Sequence, residues 1–283
     1  MLRSRRTHWR LLTTWCGILA WSFLAGAQAR QTPARPGTDA PASAKIWIGR
    51  EAEIENYIRT AKILKLESLT TGVTHPRKAT LEPGGPVQYL AWKVIPPGHY
   101  EGFWESDLSE VAGYELDKIL ALNMVPPSVE RDYKGEHGAA IMWASPTKSF
   151  HDLGLKGAPD APSKYAYEWA RQIVRAKMFD NLINNIDPNL GNWLVDPAWN
   201  LILIDHTRAF TPGTKMIHEM TRIDTDLWTH MQALTEAELQ QSLGKWLIHG
   251  EAKSMIERRD KMQQIIDGLV RAHGEAAVFM KAQ

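Results

Sequence analysis

The chain has a single cysteine, Cys16, among 283 residues. It lies in an apolar N-terminal run without the small residues that precede a lipid-attachment cysteine. Everything after it can therefore form neither a disulfide nor a thiolate metal site. Excess charge is missing as well: 33 Lys and Arg against 32 Asp and Glu leave +1, which argues against a general nucleic-acid or polybasic membrane surface. None of the ten histidines stands in H-E-x-x-H or another zinc spacing. There is no internal repeat and no glycine-rich loop. A long apolar run is absent too, because Leu11–Ala25 is short for a membrane span and carries Thr13, Thr14 and Ser22.

That N-terminal stretch has another explanation. Arg3, Arg5, Arg6 and Arg10 precede the apolar run, and Ala27-Gln28-Ala29 is an A-x-A cleavage site, so residues 1–29 read as a secretory signal peptide. Its removal takes away four arginines and no acid, which moves the net charge from +1 to −3. Export without disulfides suits a bacterial periplasm or secretion, with no membrane span after signal removal. Residues 30–50, rich in Pro, Ala and Gly at their start, read as a flexible leader. The remaining chain is long enough to bury about 70% of its unfolded surface, as one large domain or two lobes.

Along the chain, Glu51–Ile63 has amphipathic helical spacing. Leu64–Leu69 and Arg77–Leu81 read as strands around a loop, Thr70–Pro76, whose backbone N–H groups and hydroxyls, Gly72 and Thr74 among them, suit phosphate oxygens as well as they suit a plain hairpin. Val87–Ile95 is a strand containing Lys93, which either sits on an exposed polar face or aims at a ligand. Asp107–Leu122 is a helix with Leu108, Val111, Ala112, Leu116, Ile119 and Leu120 at helical spacing. Glu110 in its first turn completes a capping box with Asp107 or pairs with Lys93. Val129–Arg131 and Ala139–Ala144 are two further strands. Beyond Pro146 the pattern turns helical, at Tyr165–Asn184, Thr221–Ala233, Thr235–Ile248 and Glu251–His273, with a capping box at Thr235 and Glu238 and a solvated charged face on the last helix.

The most informative stretch is Phe179–Phe210. Trp193–Val195 and Leu201–Ile204 form a hairpin around Asp196–Asn200. Pairing about the centre of that turn puts Asn192 opposite Asp205, with Asp187 five residues upstream of Asn192. An amide oxygen and a carboxylate side by side suit Mg²⁺, which is usually held by one or two carboxylates plus substrate phosphates. Asp187 is then placed to orient a hydroxyl nucleophile.

Two segments carry a family resemblance. SDLSEVAGYELDKILALNMVPPSVER, residues 106–131, resembles the helix and following Val-Pro-Pro segment of the secretory-pathway kinases that phosphorylate secreted proteins and proteoglycan xylose. Phe179–Phe210 resembles their Phe-Asp-x-Leu, Asn-x-Asp-Arg and metal-binding Asp segments, and its Asp187-x4-Asn192-Trp193 is similar to the loop of type II phosphatidylinositol 4-kinases. The resemblance implies an α+β, two-lobed protein-kinase-like fold. An N-lobe at 51–145 would hold an antiparallel sheet plus one helix, and a mainly helical C-lobe at 146–283 would carry a catalytic β-hairpin. It implies ATP and Mg²⁺ or Mn²⁺ as cofactors and a hydroxyl acceptor in a protein, glycan or lipid headgroup, with no nucleic acid. Lys93 would contact the ATP phosphates, Glu110 would hold it, and Asp187 would be the catalytic aspartate. Asn192 and Asp205 would be the metal ligands, and Met142, Trp143 and Ala144 would lie in the hinge beside adenine. One departure matters: the usual Asp-Arg pair is Asp187-Pro188 here. A pseudokinase that binds nucleotide without efficient transfer, and a secreted domain with a structural Ca²⁺ site, are the alternatives.

Overall fold

The computed structural model describes residues 41–69, 76–247 and 250–283. The expected signal peptide, the leader up to residue 40, and Gly72 and Thr74 lie outside the described residues. Pro41–Gln283 forms one compact unit built on two main apolar cores.

The first core lies in the N-lobe. Helix α1 (Glu51–Thr60) precedes strands β1 (Ile63–Ser68), β2 (Arg77–Leu81) and β3 (Tyr89–Lys93). A short hairpin, β4 (Gly98–Tyr100) and β5 (Phe103–Glu105), leads into α2 (Leu108–Ile119), followed by β6 (Ser128–Tyr133) and β7 (Glu136–Met142). The five long strands form one antiparallel sheet in the order β1-β2-β3-β7-β6. Lys134 and Gly135 join β6 to β7 with φ of 52° and 82°, the left-handed pair that suits the twist of a tight hairpin. Ile54 and Ile58 of α1 pack with Leu81, Leu90 and Trp92 of the sheet. The lobe therefore has two helices rather than one, and they serve different cores. On α2, Val111 faces Ala139 and Ile141 of β7, whereas Ala112, Tyr114, Leu116 and Leu120 join the larger core below.

The expected flexible leader is corrected for residues 41–50. Ala44 and Trp47 are fully buried in the N-lobe core. The Ala44 N–H donates to the buried Asp196 carboxylate at 2.8 Å, which ties this segment to the hairpin turn.

The C-lobe begins with β8 (Lys148–Ser149) and α3 (Ala166–Ile183), then the hairpin β9 (Trp193–Val195) and β10 (Leu201–Leu203). β11 (Ile223–Asp224), α4 (Thr225–Ala233), α5 (Glu236–Leu243), α6 (Glu251–His273), α7 (Glu275–Val278) and β12 (Phe279–Met280) complete it. The helix expected from Thr221 starts at Thr225, because Asp224 caps it by accepting from the Leu227 N–H. Helix α3 buries Phe179, Leu182 and Ile183 completely, each worth roughly 1.5–3 kcal/mol of transfer free energy, and its C-terminal end carries the site loop. The charged face of α6 is only partly solvated. Arg258 is fully buried and donates to the carbonyls of Leu182, Thr211 and Gly213.

The hairpin register differs by one residue from the expected one. Leu201 pairs with Val195, Ile202 with Leu194 and Leu203 with Trp193. Asn192 therefore lies opposite Ile204, whose N–H donates to its carbonyl at 3.0 Å, and not opposite Asp205. The cause is the turn. Asp196 and Asn200 close a three-residue loop through Asp196 N–H to Asn200 O at 3.1 Å and Asn200 N–H to Asp196 Oδ1 at 2.8 Å. Trp199 supplies the left-handed residue such a loop needs, with φ 62°.

Candidate active site

Three elements converge where β3 ends. Lys93 is the last residue of β3, paired with Ala139 of β7. The two strands approach so closely there that a Cβ on Gly138 would lie 2.2 Å from the Lys93 carbonyl oxygen. The Lys93 side chain is buried, which excludes the exposed-face reading, and its ammonium lies 2.6 Å from Glu110 Oε1 and 2.7 Å from Asp205 Oδ1. Burial by itself would lower the Lys93 pKa. Asp205 and Glu110 outweigh it and hold the ammonium above its ordinary value.

Glu110 is not a helix cap. The expected capping box with Asp107 does not form: Asp107 is already helical in its backbone, with φ −68° and ψ −23°. Its carboxylate accepts from the Ile95 N–H at 3.0 Å instead, while Ser106 Oγ accepts from the Leu108 N–H. Glu110 is thus free to reach inward, where Oε1 meets Lys93 and Oε2 accepts from the His206 N–H at 3.1 Å. Burial opposes its ionisation, but the Lys93 charge and the His206 contacts keep its pKa below the glutamate range. Gly113, one turn further along α2, leaves room for the His206 ring, which a Cβ there would meet at 3.3 Å.

Asp205 follows β10 with φ 63°, an uncommon conformation for a non-glycine residue and one that clusters at functional sites. Its Oδ1 also accepts from Thr207 Oγ1 at 2.9 Å. The loop after α3 presents Asp187. Asn189 N–H donates to the Asp187 carbonyl at 2.7 Å, and Asn192 N–H to the Asn189 carbonyl at 2.9 Å. The Asn192 side-chain nitrogen donates to the same Asp187 carbonyl at 3.4 Å, which leaves its amide oxygen as the acceptor still to be used among the described residues. Asp187 is partly buried, and burial raises its pKa despite the opposing Arg208 charge, with Asp205 and Glu105 adding to the rise.

Arg208, His206 and Arg258 are residues the sequence reading missed. Arg208 Nε and Nη2 lie 2.8 and 2.6 Å from Glu105 Oε1, Nη1 lies 3.6 Å from Asp187 Oδ2, and the guanidinium sits over the Phe103 ring. The position of Arg208 three residues after Asp205 was a signal for it; for Arg258 there was none.

Together the cluster holds Lys93 and Arg208 against Glu105, Glu110, Asp187 and Asp205, an excess of two negative charges. Side-chain exposure rises from 3% at Glu110 to 25% at Asp205 and 31% at Asp187, so the cluster opens to solvent at the aspartates. No group of three His, Cys, Asp or Glu side chains suited to a metal occurs among the described residues. A divalent ion there would rely on Asp205, the Asn192 amide oxygen, water and a ligand's phosphates, which is the Mg²⁺ pattern. At the other end of β7, Met142 closes the strand and the Trp143 N–H donates to the Tyr89 carbonyl at 3.2 Å. The Trp143 carbonyl and Ala144 N–H have no backbone partner among the described residues. A separate, mostly apolar cavity of about 550 Å³, lined by Pro146, Lys148, Leu153, Leu155, Asp196 and Trp199 among others, contains none of these groups.

No protein-family model and no curated protein matches the sequence. Solved structures do. The chain is similar to the Golgi casein kinase, with a TM-score of 0.61 and 13% identity over 82% of this chain and 79% of that one. The same kinase with Mn/ADP bound gives 0.61 and 14% over the same shares. Hydra Fam20 with sugar gives 0.60 and 12% over 83% of this chain and 93% of that one. At such identities the likeness is one of architecture, and the chain has the two-lobed, kinase-like α+β fold of these proteins.

Proposed function

We propose that this chain is an exported kinase that transfers the terminal phosphoryl group of ATP to a hydroxyl acceptor, a protein Ser/Thr or a sugar. The observation that carries the reading is the buried Lys93 ammonium held between Glu110 and Asp205. The second carboxylate, Asp205, comes from a residue in the left-handed backbone region and lies on the side where the cluster opens to solvent. The Mn/ADP of one structural neighbour and the sugar of another support nucleotide, divalent metal and hydroxyl acceptor as the chemistry to test.

In this reading Lys93 binds phosphate oxygens and Glu110 fixes its direction. Asp205 and Asn192 would hold Mg²⁺ or Mn²⁺, which would supply charge neutralisation of the phosphates. Met142, Trp143 and Ala144 border the adenine, with Trp143 O and Ala144 N–H as its hydrogen-bonding groups. Asp187 orients the acceptor hydroxyl. A bond forms from that oxygen to the γ-phosphorus, the bond to the β-γ bridging oxygen breaks, the proton passes to the Asp187 carboxylate, and ADP leaves. Positioning and charge neutralisation do most of this work. The raised pKa of Asp187 favours its taking the proton.

Pro188 favours a second reading, a pseudokinase, because it removes a cation from the loop. Titration calorimetry with ATP, with and without Mg²⁺ or Mn²⁺, tests what both readings share. Binding should require the metal, disappear in Asp205→Ala and persist in Asp187→Ala. Absent or metal-independent binding would overturn them both. Export is tested in the native host, where the mature N-terminus should be Arg30; an intact Met1 in a membrane fraction would refute it.

A further inference from the structure

The residue after Asp187 is a proline, yet the Asp187 carboxylate does have a cation beside it, contributed by a different segment. Resting on the kinase reading above, we propose that Arg208 is the cation of the catalytic loop: it steadies Asp187 and contacts the terminal phosphoryl group of the bound nucleoside triphosphate. The geometry separates this from an ordinary ion pair between lobes. Glu105 takes both Nε and Nη2 on one oxygen, at 2.8 and 2.6 Å, which is already a complete structural contact. Nη1 is left over. It lies 3.6 Å from Asp187 Oδ2, beyond hydrogen-bond distance, so it remains a spare donor where the cluster opens to solvent.

The side chain is held on every other side. The Phe103 ring covers one face of the guanidinium at 4.3 Å, and Arg208 is only 13% exposed. The backbone around it is fixed by Ser106 N–H to Thr207 O at 3.0 Å and by Phe210 N–H to Ile183 O at 2.6 Å. A guanidinium fixed in place with one fork unused is preorganised for phosphate oxygens, which arginine binds with directional, charge-assisted hydrogen bonds. Glu105 and Phe103 then act as positioning residues for Arg208, tying β5 to the reacting centre.

The test compares ATP with ADP by titration calorimetry in Mn²⁺, then measures transfer. Wild type should bind ATP tighter than ADP. Arg208→Ala should lose roughly 10-fold or more in ATP affinity, the size of one charged hydrogen bond, while ADP affinity moves less than about 2-fold, within the scatter of surface substitutions. Transfer by Arg208→Ala should fall in kcat with acceptor KM nearly unchanged. Adding Pro188→Arg to Arg208→Ala should restore much of it, because the cation returns from the neighbouring position. A merely structural Arg208 would lower ATP and ADP affinity alike and would not be rescued from residue 188; either result overturns the proposal. Should Arg208→Ala fail to fold, Arg208→Lys carries the same comparison: it keeps the charge and loses the fork, so a reduced ATP preference supports the proposal and an unchanged one refutes it. If wild type binds no nucleotide, the kinase reading falls and this inference with it. If wild type binds and transfers but Arg208→Ala discriminates ATP from ADP as before, only this inference falls.

Discussion

Removing Glu110 should hurt the protein when Lys93 is present and help it when Lys93 is gone. The two side chains are 3% and 7% exposed and 2.6 Å apart, so solvent screens their interaction little. In Glu110→Gln the ammonium keeps Asp205 at 2.7 Å, and the loss should be that of one charged hydrogen bond, about 1.5–3 kcal/mol. Lys93→Met is worse. It leaves Glu110 buried beside Asp205 without a cation, and breaking a buried pair in this way costs about 3–5 kcal/mol. In the double variant Glu110→Gln removes a charge that had become only a penalty, so it should be no less stable than Lys93→Met alone. The coupling should therefore be at least the Glu110→Gln loss, about 1.5–3 kcal/mol, towards the upper end for residues in contact. Urea unfolding of the four proteins measures it. Losses that add within about 0.5 kcal/mol would mean that Glu110 does not act through Lys93 and that the inward-reaching carboxylate is incidental.

Gly138→Ala should be destabilising by about 1–3 kcal/mol as overpacking, and should weaken ATP binding, because the new Cβ would press on the Lys93 carbonyl from 2.2 Å; unchanged unfolding and calorimetry would refute this. Arg258→Met should lower the melting temperature by roughly 6–12 °C, taking about 3 kcal/mol for carbonyls left unpaired and 2–4 °C per kcal/mol, since Arg258 ties α6 to Leu182, Thr211 and Gly213; a shift under about 2 °C, less than 1 kcal/mol on that scale, would contradict it. Glu110 has a depressed folded pKa, so its stabilisation is complete above its unfolded value of about 4.3 and is lost as pH falls through the lower folded value. Thermal melts from about pH 6 down to pH 2 should show Glu110→Gln losing less stability on acidification than wild type, and parallel curves would contradict the assignment.

Local signals in the sequence were reliable where they were answered locally. Helix α6 runs over Glu251–His273 as its periodicity says, and the Thr235–Glu238 capping box forms with both bonds. The same logic failed at Asp107, because a donor from Ile95, twelve residues earlier, claimed its carboxylate. Lys93 could not be judged from its strand, since its two partners are 17 and 112 residues away. The hairpin was visible as a hairpin, but its register hung on Trp199 taking φ 62°, which tryptophan rarely signals. The slip takes Asp205 off the position opposite Asn192, and the Asp205 carboxylate instead meets Lys93 from a left-handed backbone conformation. Arg208 was hidden for a simpler reason: a cation expected beside Asp187 in sequence reaches it in space from the other side of the hairpin.

The central claim is that this cluster moves a phosphoryl group, and the most direct measurement is transfer of labelled γ-phosphate from ATP. Purified wild type and Asp187→Ala should be incubated with Mn²⁺ or Mg²⁺ and a panel of protein and sugar hydroxyl acceptors, with autophosphorylation and ATP hydrolysis read in the same samples. The account predicts label on an acceptor or on the protein itself with wild type, and none above background with Asp187→Ala despite retained nucleotide binding. Wild type that binds ATP yet is indistinguishable from Asp187→Ala in transfer, autophosphorylation and hydrolysis would contradict it and leave a nucleotide-binding pseudokinase.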